Sequence, residues 1–143
     1  RARLTASEGD PEPLRNGVDR PVGDVDNGWT GSPGAWIEYA FDKPRPAREC
    51  RLVLDSNLNR KRLNMPCCYP RDMEPHCVPE TLVRALRVEA LQPDGTWAVA
   101  ARVENNYQRL LRVPLDVTAA AVRVIPEQTW GSEKAHLFAV EVK

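Results

Sequence analysis

The stretch Trp36-Ile37-Glu38-Tyr39-Ala40-Phe41 decides the fold class. Ile37, Tyr39 and Phe41 alternate with Glu38 and Ala40, and a period of two puts them on one face of a strand. Downstream, Pro44 and Pro46 are expected to end that segment, because proline removes a ladder donor. Cys50, Leu52 and Leu54 then alternate with Arg51 and Val53, which predicts a second strand with one buried face. Upstream, residues 1–34 hold a short first strand near Arg3 to Ser7 and then turn chemistry: Asn16-Gly17, Asp26-Asn27-Gly28 and Ser32-Pro33-Gly34.

Further along, Leu86, Val88 and Ala90 face inward while Arg87 and Glu89 face out. Gln92-Pro93-Asp94-Gly95 is a hairpin turn, and Trp97, Val99, Ala101 and Val103 follow it on one expected face. Tyr107 to Val113, Ala120 to Ile125 and Leu137 to Val142 supply three more strands. No segment reads as an amphipathic helix of three turns. Seven or eight short strands separated by turns predict an all-β chain, an antiparallel β-sandwich or jelly roll, spanning residues 1–143 as one domain. Residues 56–80, rich in proline, cysteine and polar side chains, interrupt the rhythm as a long loop of the functional kind.

Composition narrows the function. Twenty Lys and Arg balance twenty Asp and Glu, so there is no electrostatic case for nucleic acid or an anionic membrane. No apolar run approaches the ~18 residues of a spanning helix. The chain opens at Arg1 without a methionine, which reads as a piece of a longer protein. Cys50, Cys67, Cys68 and Cys77 match no disulfide scaffold and are expected to be reduced thiols, a weak pointer to an intracellular setting. Cys67, Cys68, His76 and Cys77 offer zinc donors, but adjacent cysteines and an adjacent His-Cys pair lack knuckle spacing, so free thiols are expected. His76 and His136 belong to no nucleophile motif, and no catalytic residue is assigned. The basic run Arg60-Lys61-Arg62 reads as a solvated loop or a docking contact.

The order of Asn16-Gly17, Asp19, Trp29 and the strand from Trp36 resembles the opening of discoidin-type, galactose-binding-like domains (the coagulation factor 5/8 C-terminal kind). Asp94-Gly95-Thr96-Trp97, Ala121-Val122-Arg123-Val124 and Phe138-Ala139-Val140-Glu141-Val142 continue the pattern. Arg20-Pro21-Val22-Gly23, Asp55-Ser56-Asn57-Leu58-Asn59-Arg60, Met65-Pro66-Cys67, Val78-Pro79-Glu80-Thr81-Leu82-Val83, Asn106-Tyr107-Gln108-Arg109 and Thr129-Trp130-Gly131 are similar to the C-terminal accessory domain of bacterial FAD-dependent oxidoreductases, some labelled xanthan lyases. That resemblance implies a non-catalytic domain that docks, through the 56–80 loop, on an upstream catalytic domain of the same chain. No Gly-rich dinucleotide fingerprint occurs, so FAD is not expected to bind these residues. The alternative is an autonomous carbohydrate-binding module.

Sugar recognition asks for an aromatic face and for planar donors and acceptors beside it. Asp55, Asn57, Asn59 and Arg60, with Tyr69, Tyr107, Arg109 and Trp130 from other loops, are the candidate ligand or partner surface. The competing reading has Trp130 and Tyr107 capping the core and the asparagines satisfying loop backbone. Trp36 and Trp97 are expected to pack. The discoidin resemblance also implies a structural Ca²⁺ between the N-terminal loop and the last strand, held by Asn16, Asp19 and Glu141. Pairing of Asp19 with Arg15 or Arg20 is the alternative there.

Overall fold

The computed structural model describes residues 2–57 and 78–143. Among the described residues seven strands form in chain order: β1 (Arg3–Ala6), β2 (Trp29–Gly31), β3 (Ile37–Leu54), β4 (Val83–Leu91), β5 (Trp97–Val103), β6 (Leu110–Thr129) and β7 (Ala135–Val142). One 3₁₀ turn, Glu12–Arg15, buries Leu14 against them. All pairings between the strands are antiparallel, as the alternation predicted. No helix among the described residues is long and apolar enough to cross a membrane.

Two long strands turn one ladder into two layers. The first part of β3 pairs Ile37 to Ala40 with β1 on one side and with Val124 to Ala121 of β6 on the other. Its second part pairs Cys50 to Leu54 with β7, and Cys50 to Val53 with the first part of β6. The register shifts between Ala40 and Arg45 and again between Ala47 and Glu49, so β3 and β6 bend together and carry the chain between layers. One layer is then β1, early β3, late β6, β4 and β5; the other is β2, β7, late β3 and early β6.

Three expectations about boundaries are corrected here. Pro44 and Pro46 do not end a strand; both lie exposed at the bend, Pro44 in the interrupted step between Ala40 and Arg45 and Pro46 opposite Thr118 of β6. The segments 107–113 and 120–125 belong to one strand, β6, that runs through Pro114. The N-terminal region contains a further strand, β2, too short for any periodicity to show.

The interior is apolar and continuous. Ile37, Leu52, Leu54, Leu86, Val88, Val122 and Leu137 are fully buried between the layers, with Trp29 at their edge. Phe41 is only half-buried because the bend begins there. In β5 the shift opposite Val88 and Glu89 changes which side faces in. Ala101 and Val103 point inward, while Trp97 and Val99 lie opposite outward Leu91 and Glu89; the single face expected for all four is therefore split. Trp97 is not core but an outer-face residue. Cys50 is a buried free thiol, and burial pushes its ionisation up to about 12. The other three cysteines lie outside the described residues.

Candidate functional site

The loops at one end of the sandwich gather around the end of β3. Residues Asp55 to Asn57 leave β3, His136 enters β7 beside them, and the 104–109 loop leads into β6. The backbone ties these segments together: Leu54 N–H donates to Arg109 O at 2.8 Å, and Asp55 N–H to His136 O at 3.2 Å. A second apolar cluster, Val53, Phe138 and Ala139, lies on the other side of β3 and β7 from the main core. The guanidinium of Arg109 stands over the Phe138 ring, with 5.4 Å between Cζ and the ring centroid. Arg109 also donates to Ser56 Oγ at 3.4 Å and to the Asp19 carbonyl. It therefore pins the N-terminal loop to the end of β3.

Between these loops lies an open cavity of about 380 Å³, walled by Pro21, Gly23, Asp24, Val25 and Asp26 on one side and by Asp55, Asn57 and His136 on the other. His136 is the hinge of its chemistry. Nδ1 lies 2.8 Å from Asp55 Oδ2, and Nε2 lies 3.0 Å from Asp26 Oδ2. The ring also meets Phe138 edge-on at 4.7 Å between centroids. Burial alone would lower the imidazole pKa, but the hydrogen bond to Asp55 and the charges of Asp26 and Asp55 outweigh it and hold the value above 6.5. Burial opposes ionisation of Asp55 too, yet the His136 bond, the Asn57 N–H and the nearby Arg109 keep its carboxyl below 3.8. Asn57 adopts φ 57° at the cavity edge, with its N–H held by Asp55 Oδ1 at 2.6 Å. The result is a polar cup rimmed by carboxylates and one side-chain amide, suited to ligands that present hydroxyl or ammonium donors.

Of the residues expected at a ligand surface, the structure brings Asp55, Asn57 and Arg109 together. Tyr107 is 74% exposed on the same loop as Arg109. Trp130 packs on the core edge, donates its indole N–H to Asn106 O at 2.6 Å, and has Arg84 over its ring at 4.7 Å. It caps the core and takes no part in the cavity. Asn59, Arg60 and Tyr69 lie outside the described residues, as do Arg60-Lys61-Arg62 and the Cys67, Cys68, His76 and Cys77 set. Sequence reasoning missed His136 and Asp26. A histidine two residues before Phe138, on the same strand face, was the available signal for one; the Asp26-Asn27-Gly28 turn was the signal for the other.

The expected calcium donors come together only in part. Asp19 and Glu141 line one cavity, of about 460 Å³, but Arg15, Arg51 and Lys143 line it too. Glu141 is already paired with Arg51 at 3.2 Å and with Lys143 at 3.4 Å. Asn16 spends its Oδ1 on Val18 N–H at 2.7 Å and its amide on Asn27 at 3.3 Å. Three cationic side chains around two carboxylates leave little charge for a divalent ion, so these residues do not fit one as placed. Among the described residues no cluster of three or more His, Cys, Asp and Glu is placed to hold a metal. Arg15 pairs with Glu12 at 2.6 Å rather than with Asp19.

The architecture is an antiparallel β-sandwich of the jelly-roll kind. It is shared by the family 32 carbohydrate-binding module of Streptococcus pneumoniae EndoD, which matches with a TM-score of 0.69 at 14% identity over 99% of this chain and 94% of that one. The chitosan-binding module 1 of a Paenibacillus sp. IK-5 chitosanase/glucanase matches at 0.65, with 14% identity over 99% and 94% of the two chains. The family 32 module of C. perfringens NanJ, solved in complex with galactose, matches at 0.64, with 12% identity over 99% and 92%. No family model matches the sequence, and no curated protein does.

Proposed function

We propose that this domain is a carbohydrate-binding module whose ligand enters the cavity between the 21–26 loop and the end of β3. The observation that carries this reading is the cup itself: Asp26 and Asp55 are held as fixed acceptors by one histidine, with the Asn57 amide beside them. Hydroxyl-rich ligands need such acceptors in place before binding, since preorganisation lowers the ordering cost. Support for the ligand class comes from the three structural matches named above, which are carbohydrate-binding modules. Exposed Tyr107 supplies an apolar face next to the Arg109 anchor. Docking on an upstream FAD-dependent oxidoreductase domain, the other expectation, gains no support from these matches, and most of its docking loop lies outside the described residues.

A glycan array followed by calorimetry on the best binder tests the proposal. Asn57→Gly removes the amide yet accepts the positive φ, and Tyr107→Ala alters a side chain that is already in solvent. Each is expected to weaken binding about tenfold, or ~1.4 kcal/mol, with the thermal midpoint nearly unchanged. Absence of binding to every glycan on the array, or full affinity in both variants, would overturn it.

A further inference from the structure

The contact pattern of His136 demands two protons. A carboxylate oxygen only accepts hydrogen bonds, so a ring with Asp55 at Nδ1 and Asp26 at Nε2 must donate from both nitrogens. Neutral imidazole has one N–H and can keep one of these bonds. The two partners differ in setting. Asp55, with 14% of its side chain exposed, sits on the rigid end of β3, whereas Asp26 is 56% exposed on the N-terminal loop. The surviving proton stays with the less hydrated acceptor, Asp55, because that bond is the costlier one to leave unmade.

We propose that doubly protonated His136 is a positioning residue that clasps the 21–26 loop onto the end of β3, so that the ligand cavity is formed with the imidazolium and loosens when the ring loses a proton. The proposal rests on the carbohydrate-binding reading only for its consequence, the loss of ligand affinity. The clasp itself can be read without a ligand.

The surroundings of the ring support the assignment. Asp55 and Asn57 face it from the end of β3, Asp26 and Asp24 from the N-terminal loop, and Phe138 from β7 itself. Arg109, a nearby cation among the described residues, is spent on Ser56 Oγ, the Asp19 carbonyl and the Phe138 ring. Among the described residues the cavity therefore has more carboxylates than cations, which stabilises the imidazolium. Few other hydrogen bonds among the described residues secure this loop wall. Val22 and Val25 bond each other in a tight bridge, and Asn27 Nδ2 donates to Arg20 O at 3.2 Å, but these bonds are internal to the loop. The Arg109 bond holds it at Asp19, and the Asn16 amide reaches Asn27 Oδ1 from upstream. Asp26 to His136 is the tie at the cavity mouth.

The test uses nuclear magnetic resonance on the intact domain. The chain has two histidines, His76 and His136, so His136→Gln assigns the ring signals unambiguously. The His136 ring is expected to titrate above 6.5, and the backbone amides of residues 23–27 to shift with the same midpoint. In Asp26→Asn the ring midpoint should fall and the loop amides should no longer follow it. Titration at or below 6.5, or loop amides that ignore the ring, would overturn the clasp. Affinity for the best array glycan, measured on both sides of the midpoint, reads the consequence. A drop of about threefold or more at the higher pH is expected. Equal affinity on both sides would remove the role in ligand binding. If the ring and loop titrate together while no glycan binds at either pH, the clasp stands and the carbohydrate reading fails.

Discussion

Tyr39 donates its hydroxyl to the carbonyl of Val140 at 2.6 Å, a buried bond between residues 101 apart in sequence. Tyr39 stands on early β3 and Val140 on β7, so the bond crosses from one layer to the other through the core. Burial pushes the phenol up to about 12, so it stays a donor across the working pH range. Tyr39→Phe is expected to cost about 1–2 kcal/mol, because the buried carbonyl loses a partner while the packing is kept. Urea denaturation checks this. A change below ~0.5 kcal/mol would mean that the layers do not depend on the bond.

Arg123 gives a second prediction, on the outer face of late β6. Its guanidinium lies 4.3 Å from the Trp36 ring centroid and 3.9 Å from that of Trp97, and Nε donates to Glu38 at 2.8 Å. The stack joins β5, an edge strand, to the start of β3. Arg123→Met keeps the stem and removes the cation; a loss of about 1–2 kcal/mol is expected, with a shift in tryptophan emission. Unchanged emission would show that the stack does not persist in solution.

The sandwich was legible because burial alternates with period two: Leu86, Val88 and Ala90 face inward as read, and so do Leu52 and Leu54. The joins between strands were not legible. Whether chain breaks or merely bends at Pro44 and Pro46 depends on a partner strand, β6, that lies more than sixty residues away. Trp97 misled for a related reason. A one-residue slip against β4 turned it outward, and a slip leaves no mark in the pattern of a single strand. Half of the cup was legible, since Asp55 and Asn57 are polar residues flanking a strand end. His136 and Asp26 were not, because their meaning comes from a strand and a loop 110 residues apart in sequence that meet in space.

Asn106 is the buried polar residue that shapes the Tyr107 and Arg109 loop. Its amide donates to Val83 O and to Gln108 O, both at 2.9 Å, and its Oδ1 accepts from Gln108 N–H at 2.9 Å. Asn106→Ala strands three backbone groups, and a loss of about 2–3 kcal/mol is expected. Glycan affinity should fall as well, through the displaced Arg109. Calorimetry and thermal melts on the same sample separate the two effects; affinity lost without stability would contradict a shared cause.

Stability should depend on pH in a window set by Asp55 and His136. The folded value of His136 is raised above 6.5, so its contribution is complete below 6.5 and is lost as pH rises through the folded value. That of Asp55 is lowered below 3.8, so its contribution is complete above 3.8 and is lost as pH falls through the folded value. The pair therefore stabilises most between 3.8 and 6.5. Thermal midpoints across pH should fall on both flanks, and Asp55→Asn should flatten both. If only the acid flank flattens, the imidazolium owes its stability to Asp26 alone.

Gly28 provides a way to break the clasp without touching its charges. A Cβ at this position would run into His136 Nε2 and would come within 2.9 Å of the Leu137 carbonyl oxygen. The backbone oxygen of a paired strand cannot give way, so the imidazole must move. Gly28→Ala is expected to bring the His136 titration down toward 6.5 and to release the 23–27 amides from it, while Asp26 and Asp55 remain in place. Its effect on ring and loop should match that of Asp26→Asn, although one variant removes a charge and the other adds a methyl group. Gly17→Ala, at a loop glycine with φ 83° and open space around it, shows what backbone strain in the same loop does without any contact to the ring. If Gly28→Ala leaves the His136 midpoint where it is in the unaltered domain, the ring is held by something other than its two carboxylates.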